Sequence, residues 1–188
     1  INYAFKHNIY DLNFIDTSKI TDMTLLFSKC NYNIDISHWD MSNVRNMSYM
    51  FYHCKNFNCD LSNWDVSNVT TTFCMFAGCK KFNSDLSNWN MANVKTAGYM
   101  FIGCESFEGK GLENWNVSNI IYIYSMFERC QKFNADLSSW KLRNALDMGA
   151  SDYLTKPFRT GELIARINKI LNKKTISVKN ITYDLNKM

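Results

Sequence analysis

Residues 40–69 read DMSNVRNMSYMFYHCKNFNCDLSNWDVSNV, and this stretch contains its own opening twice. Asp40-Met41-Ser42-Asn43-Val44 returns as Asp65-Val66-Ser67-Asn68-Val69, 25 residues later. The tryptophans show that most of the chain is built this way. Trp39, Trp64, Trp89, Trp115 and Trp140 follow steps of 25, 25, 26 and 25. Phe27, Phe51, Phe76, Phe101 and Phe127 keep the same beat, and so do Cys30, Cys54, Cys79, Cys104 and Cys130. A second aromatic column reads Tyr32, Phe57, Phe82, Phe107 and Phe133. Asp11 to Ile20 fits as an earlier, degenerate copy, with Ile15 in the tryptophan position. Several columns in one register mark a repeat array, in which a copy buries its apolar face only against its neighbours.

One copy can be read from its local pattern. Trp64-Asp65-Val66-Ser67 alternates apolar and polar, the period of a strand with one buried face. Val69, Met75, Phe76 and Cys79 fit one side of a short helix, with Ser67 or Asn68 as its cap. Phe82 to Ser87 then returns the chain to the next strand. The expected fold is an α/β repeat solenoid, right-handed, with one short parallel strand plus a short helix per copy. The tryptophans would stack inside, and strands would pair at about 4.8 Å.

These residues carry a resemblance. The pattern N-V-x-x-M-x-x-M-F-x-x-C-x-x-F-N-x-D-L-S-x-W-D-V-S resembles the BspA-like bacterial surface protein repeat, a leucine-rich-repeat-like unit. It covers Asp11 to Leu142. Departures are local: Ala97 stands where Met47 stands in its copy, and Glu108-Gly109-Lys110-Gly111 carries the extra residue behind the 26-step. The resemblance implies a non-enzymatic surface role such as adhesion, with a protein or host-surface ligand.

After Trp140 the beat stops. Gly149 to Phe158, GASDYLTKPF, is similar to the last strand and Lys-Pro junction of a response-regulator receiver domain. Leu163, Ile164, Ile167, Ile170 and Leu171 then form an amphipathic helical pattern. TISVKNITYDLNKM, 175–188, resembles the opening of a winged-helix output domain. The expected division is therefore a repeat array over 1–142, a receiver fragment over 143–174 acting as a cap, and a truncated output domain or linker over 175–188. Lys156 matches the receiver family's phosphate-contacting lysine. The phosphoacceptor and the acidic pair of that family would lie upstream, where this chain has repeats, so Lys156 is expected to be non-functional. The packing expected of the tail sets the 162–172 helix over the last repeat, with Asp152 to Leu154 as a strand beside Trp140.

Composition sets the remaining limits. Hydrophobic residues make up 46% and charged residues 20%, which suits a folded chain of 188 residues. No apolar run approaches the length of a membrane span. Ile1 rather than Met opens the chain, which suggests a fragment with any export signal upstream. Residues 1–140 hold 11 Lys+Arg against 13 Asp+Glu, whereas 141–188 hold 10 against 4. The basic tail fits the solvated face of a helix, and no nucleic acid is expected without a recognition helix.

No cofactor and no metal are expected: the seven cysteines include no Cys-x-x-Cys, and His7, His38 and His53 share no ligand spacing with them. The column cysteines read as buried free thiols, because parallel stacked side chains point the same way. Cys59 and Cys74 lie off the column and are expected to be exposed and reactive. Asp35, Asp60, Asp85 and Asp136 repeat in register, which suits turn residues better than a catalytic pair needing one special environment. Asn58, Asn83 and Asn134 are expected to form a ladder satisfying backbone groups.

The candidate binding face follows from the strand's outward positions: Asp40, Asp65, Asn90 and Asn116, with Ser42, Ser67 and Ser118 beside them. Tyr49 and Tyr99 are added as aromatic anchors. The favoured reading is a surface interaction or adhesion module at the cell surface or secreted. The alternative is a cytoplasmic remnant of a two-component response regulator. Self-association through the tail or the solenoid ends is a further expectation, because an open strand edge invites pairing.

Overall fold

The computed structural model describes residues 2–142. The receiver-like segment with Lys156, the expected strand at Asp152 to Leu154, the 162–172 helix and residues 175–188 lie outside them. A short helix, α1 (Asn2–Lys6), opens the chain. Copies then stack in sequence order. Parallel bridges join Asp22 to Asn46, Asn46 to Thr71, Thr71 to Thr96 and Thr96 to Tyr122, and another joins Asp11 to Asp35.

The pairing departs from the sequence expectation in its position. Four of the five bridges fall at the start of the segment read as a helix and the fifth, Asp11 to Asp35, in the return segment; none falls at Trp64–Ser67. Among the described residues no α-helix occurs within the copies, and a single 3-10 turn covers Leu112–Asn114. The backbone hydrogen bonds explain why. In the copy around Phe51, alternate amides leave the copy. Met47 N donates to Thr71 O, Tyr49 N to Phe73 O, Phe51 N to Met75 O and His53 N to Ala77 O, at 2.7–3.0 Å. The intervening amides close local turns: Met50 N to Met47 O, Tyr52 N to Tyr49 O and Cys54 N to Phe51 O. A helix needs every amide for its own carbonyls. Here half of them are spent on the next copy, and the same four positions repeat at Met23, Thr72 and Ala97 onward.

That alternation needs left-handed residues. Tyr49 and His53 have φ of 59° and 58°, and Cys74 with Gly78, Tyr99 with Gly103, and Ser125 with Arg129 repeat the pair. A non-glycine residue in this region costs about 1–2 kcal/mol. Each inter-copy bond returns about 1 kcal/mol net. Hydrogen bonding alone therefore roughly balances the strain, and burial decides. Met47, Met50 and Phe51 are fully buried, each contributing about 1.5–3 kcal/mol.

The core is the set of columns. Trp39, Trp64, Trp89 and Trp115 are buried, and Trp140 at the last copy is half-buried. Indole centroids from Trp64 to Trp140 are spaced 6.3 Å apart with planes within 7°. Each indole N–H donates to a carbonyl in the preceding copy, as Trp64 to Ile36 O at 3.0 Å and Trp89 to Leu61 O at 3.0 Å. Phe51, Phe76 and Phe101 stack at 5.5–5.6 Å. The thiols of Cys54, Cys79, Cys104 and Cys130 each donate to a phenylalanine carbonyl in the preceding copy at 2.9–3.0 Å. Burial pushes Cys54 and Cys130 up to about 12 and raises Cys79 and Cys104 well above the ordinary thiol value.

Polar corners close each copy. Asp35, Asp60, Asp85 and Asp136 accept from the backbone N–H two residues on, at 2.9–3.0 Å. The asparagine ladder is also present, in a shifted form. Asn33 Oδ1 accepts from Asn58 N, Asn58 Oδ1 from Asn83 N and Asn83 Oδ1 from Glu108 N. Asn134 joins it only through its backbone, to Glu108 O. A second ladder is formed by Asn43, Asn68, Asn93 and Asn119, whose Nδ2 atoms each donate to the carbonyl of the preceding copy's Ser or Ala at 2.7–2.8 Å. Asn68 is thus a clamp between copies, not a helix cap.

The extra residue of the 26-step is absorbed beside Ser87. Gly109 and Gly111 have φ of 85° and 91°, and Lys110 reaches Asp85 at 2.6 Å. A Cβ at Gly111 would run into the backbone of Ser87.

Candidate binding face

The residues read as outward strand positions do lie at the surface, but their polar groups are engaged. Asp40 Oδ1 accepts from Ser42 N and Ser42 Oγ at 2.9 and 2.6 Å. Asp65 Oδ1 accepts from Ser67 N at 2.9 Å, and Asn90 Oδ1 from Ala92 N at 3.1 Å. Asn116 Oδ1 accepts from Ser118 N and Oγ at 3.2 and 2.7 Å. The hydrogen bonds from Ser42 and Ser67 hold Asp40 and Asp65 below the usual carboxylate range. These side chains form a second row of corners, parallel to the Asp35 row, and the geometry gives them a folding role first.

The tyrosines are arranged differently. Tyr49, Phe73, Tyr99 and Tyr124 form one continuous ladder, every ring half-buried. Centroids are 5.5, 5.9 and 4.9 Å apart, with interplanar angles of 70°, 86° and 81°. This edge-to-face alternation is the favoured contact of aromatic quadrupoles. Tyr52 adds a further edge contact to Tyr49 at 5.5 Å, and Tyr122 is exposed.

The ladder zigzags between two columns. Tyr49 and Tyr99 belong to one, which reads Cys74 and Ser125 elsewhere. Phe73 and Tyr124 belong to the neighbouring one, which reads Ser48 and Gly98 elsewhere. Gly98 makes room for it. A Cβ there would lie 3.3 Å from Phe73 Cε2 and 3.4 Å from Tyr124 Cε2. Phe73 was missed by the sequence reading because neither column is aromatic throughout. The usable signal was the complementary placement of small residues.

Cys59 and Cys74 correct the expectation of exposed, reactive thiols. Both are 7% exposed, and burial raises each to about 11. Cys59 lies in a shallow depression of about 230 Å³ with Asn33, Ile34, Asp35, Ser37 and Asp60. Its thiol is 3.7 Å from Asp35 Oδ1, and a neighbouring carboxylate further disfavours a thiolate. Among the described residues no group of His, Cys, Asp and Glu is placed to hold a metal ion. No helix among them is long and apolar enough to cross a membrane.

A family model for a Mycoplasma protein of unknown function, DUF285, matches residues 1–110 and 94–162. The chain belongs to the DUF285 family. The DUF285 match runs past Leu142, the junction read in the sequence, so the family pattern reaches into the segment that resembles a receiver domain. No curated protein and no solved structure matches the chain.

Proposed function

We propose that this DUF285 chain is a non-enzymatic interaction module, a solenoid of BspA-like repeats that holds a protein ligand at a bacterial surface. The observation that carries this is the aromatic ladder. A line of partly exposed tyrosine and phenylalanine rings offers rigid contact area at low entropic cost, the composition that concentrates binding energy in interfaces. Its rings are fixed by edge-to-face packing and by the space at Gly98. The repeated carboxylates support a non-enzymatic reading, since they act as corners, and so do the off-column thiols, which burial holds protonated at neutral pH.

The test is direct. The chain and a Tyr49→Ser, Tyr99→Ser double variant are passed over a panel of immobilised host extracellular proteins. The ladder reading expects the variant to lose the bound signal while keeping its near-ultraviolet circular dichroism from the tryptophan column. A folded variant that binds as before removes the ladder from the interface.

A further inference from the structure

Charge is sorted along the coil of this chain. The arcs of the three central copies that carry the aromatic ladder, 45–56, 70–81 and 95–106, hold five Lys or Arg against one Glu. The arcs that follow them, 57–69, 82–94 and 107–119, hold five Asp or Glu against one Lys. The copies stack in register through parallel bridges, so each kind of arc lines up with its own kind. The ladder therefore lies on the basic side of a repeat array that is slightly acidic as a whole.

The cations bracket the ladder within each turn. Arg45 and Lys95 precede it, in one row with Thr70: Thr70 N donates to Arg45 O and Lys95 N to Thr70 O, both at 2.8 Å. Lys55, Lys80 and Lys81 follow it, and Lys81 N donates to Lys55 O at 3.3 Å. Tyr52 joins ladder to cations. Its ring lies 5.5 Å from Tyr49 and 4.3 Å from His53, and His53 O accepts from Lys55 N at 3.0 Å. All five cations are exposed. Lys80 is paired with Glu105 at 2.6 Å, whereas among the described residues Arg45, Lys55, Lys81 and Lys95 make no ion pair.

An apolar, aromatic centre inside a charged rim is the anatomy of a protein contact. A rim of one sign calls for the opposite sign on the partner. The chain's own residues after Trp140 are no match for it, since 141–188 hold 10 Lys or Arg against 4 acids. Resting on the reading of the ladder as a protein-binding face, we propose that its partner is an acidic segment of another protein. Apolar side chains of that segment lie against Tyr49, Phe73 and Tyr99, and its carboxylates face the cations on either side. An acidic polysaccharide would match the charge but not the centre. Ser48 Oγ and Thr71 Oγ1 are engaged with each other at 3.0 Å, and Gly98 and Ile102 carry no polar side-chain atom, so sugar hydroxyls would lose water without gaining partners. The two parts of the face act on different steps: the rim speeds encounter, and the ladder slows release.

Surface plasmon resonance on the full chain tests this with three immobilised probes. One is a peptide in which glutamates flank a central leucine-tyrosine pair, the second is its glutamine counterpart, and the third is a heparin oligosaccharide. The native chain is expected to associate with the glutamate peptide about tenfold faster than with the glutamine peptide at low salt. A Lys55→Glu, Lys81→Glu variant is expected to lose that advantage with little change in dissociation. The difference should close near 1 M salt, where the screening length is about 3 Å. The Tyr49→Ser, Tyr99→Ser variant is expected to dissociate faster at every salt concentration. Circular dichroism checks that each variant is folded, and Lys55→Gln, Lys81→Gln removes only the charge if the reversal disturbs the fold. A native chain that binds none of the probes, or both peptides equally, overturns the acidic partner. So does a folded charge variant that associates as the native chain does, and the ladder reading then stands if the tyrosine variant still loses binding. Heparin bound more tightly than the glutamate peptide overturns the proposal in favour of a sugar. A tyrosine variant that releases the glutamate peptide no faster than the native chain overturns the ladder reading instead.

Discussion

Thr72 tests whether polar satisfaction is as strict in this stack as the ladders imply. Its side chain is fully buried, and Oγ1 has no hydrogen-bond partner. The corresponding residues in adjacent copies are Met47 and Ala97, both fully buried and apolar. The Thr72 amide still donates to Thr96 O at 2.9 Å, so a change of side chain leaves the ladder untouched. A buried, unpaired hydroxyl costs about 1–3 kcal/mol. Thr72→Val replaces it with a methyl of similar size in an apolar column, and stability should rise by about 1–2 kcal/mol. For a chain of this length that is a melting shift of about 2–4 °C for each kcal/mol. Thr72→Ser keeps the hydroxyl and deletes the methyl, so it should fall by about 1 kcal/mol, as buried methyl deletions do. Thermal melts followed by circular dichroism, with urea titration for the free energies, give the order valine, threonine, serine. If Thr72→Val melts below the native chain, the hydroxyl is satisfied and the reasoning is wrong.

Three further outcomes follow from other parts of the stack. Trp89→Ala should cost about 3–5 kcal/mol, because it opens a large cavity in the column, and urea unfolding measures it. Gly111→Ala should lower the melting temperature more than Gly98→Ala, since it meets the backbone of Ser87 at a left-handed φ whereas Gly98 meets only ring edges. The buried thiols make the fold sensitive to alkali. Their folded values, about 11 to 12 for Cys54, Cys59, Cys74 and Cys130, lie above the ordinary 9.0, so their contribution is whole below pH 9.0 and is lost as pH rises through those values. The melting temperature should therefore decline above pH 9.0, and the same cysteines should resist alkylation at neutral pH until urea unfolds the chain.

The inward columns were legible because burial is a property of single positions. Trp64, Phe76 and Cys79 face the interior in every copy, so their identity repeats with the period. The Asp35 and Asp60 corners were legible for the same reason: Asp-x-Ser is a local unit that closes on itself. The helix expected over Val69 to Cys79 was not available to such reading. Met75, Phe76 and Cys79 show a helical spacing, yet what decides the backbone is where alternate amides go, and that depends on the copy above. Left-handed Tyr49 and Cys74 carry no side-chain signature of that choice. The aromatic ladder hid for a related reason, since its rings alternate between two columns while a period search examines one. Cys59 and Cys74 looked exposed because they were off the column, yet both are buried where their copies meet their neighbours.

The alternate-amide ladder also determines how the chain meets a pull. Among the described residues each copy is tied to the next by its own short set of backbone bonds, and none of these reaches a copy further along. Tension applied between the ends would therefore peel the molecule one turn at a time. Every turn released returns about 80 Å of extended chain from its 25 residues. Near-identical ties make the successive releases near-equal in force, which is the behaviour of a shock absorber. Because the junctions lie in series, each carries the full tension, and the chain limits the peak force by lengthening one turn at a time.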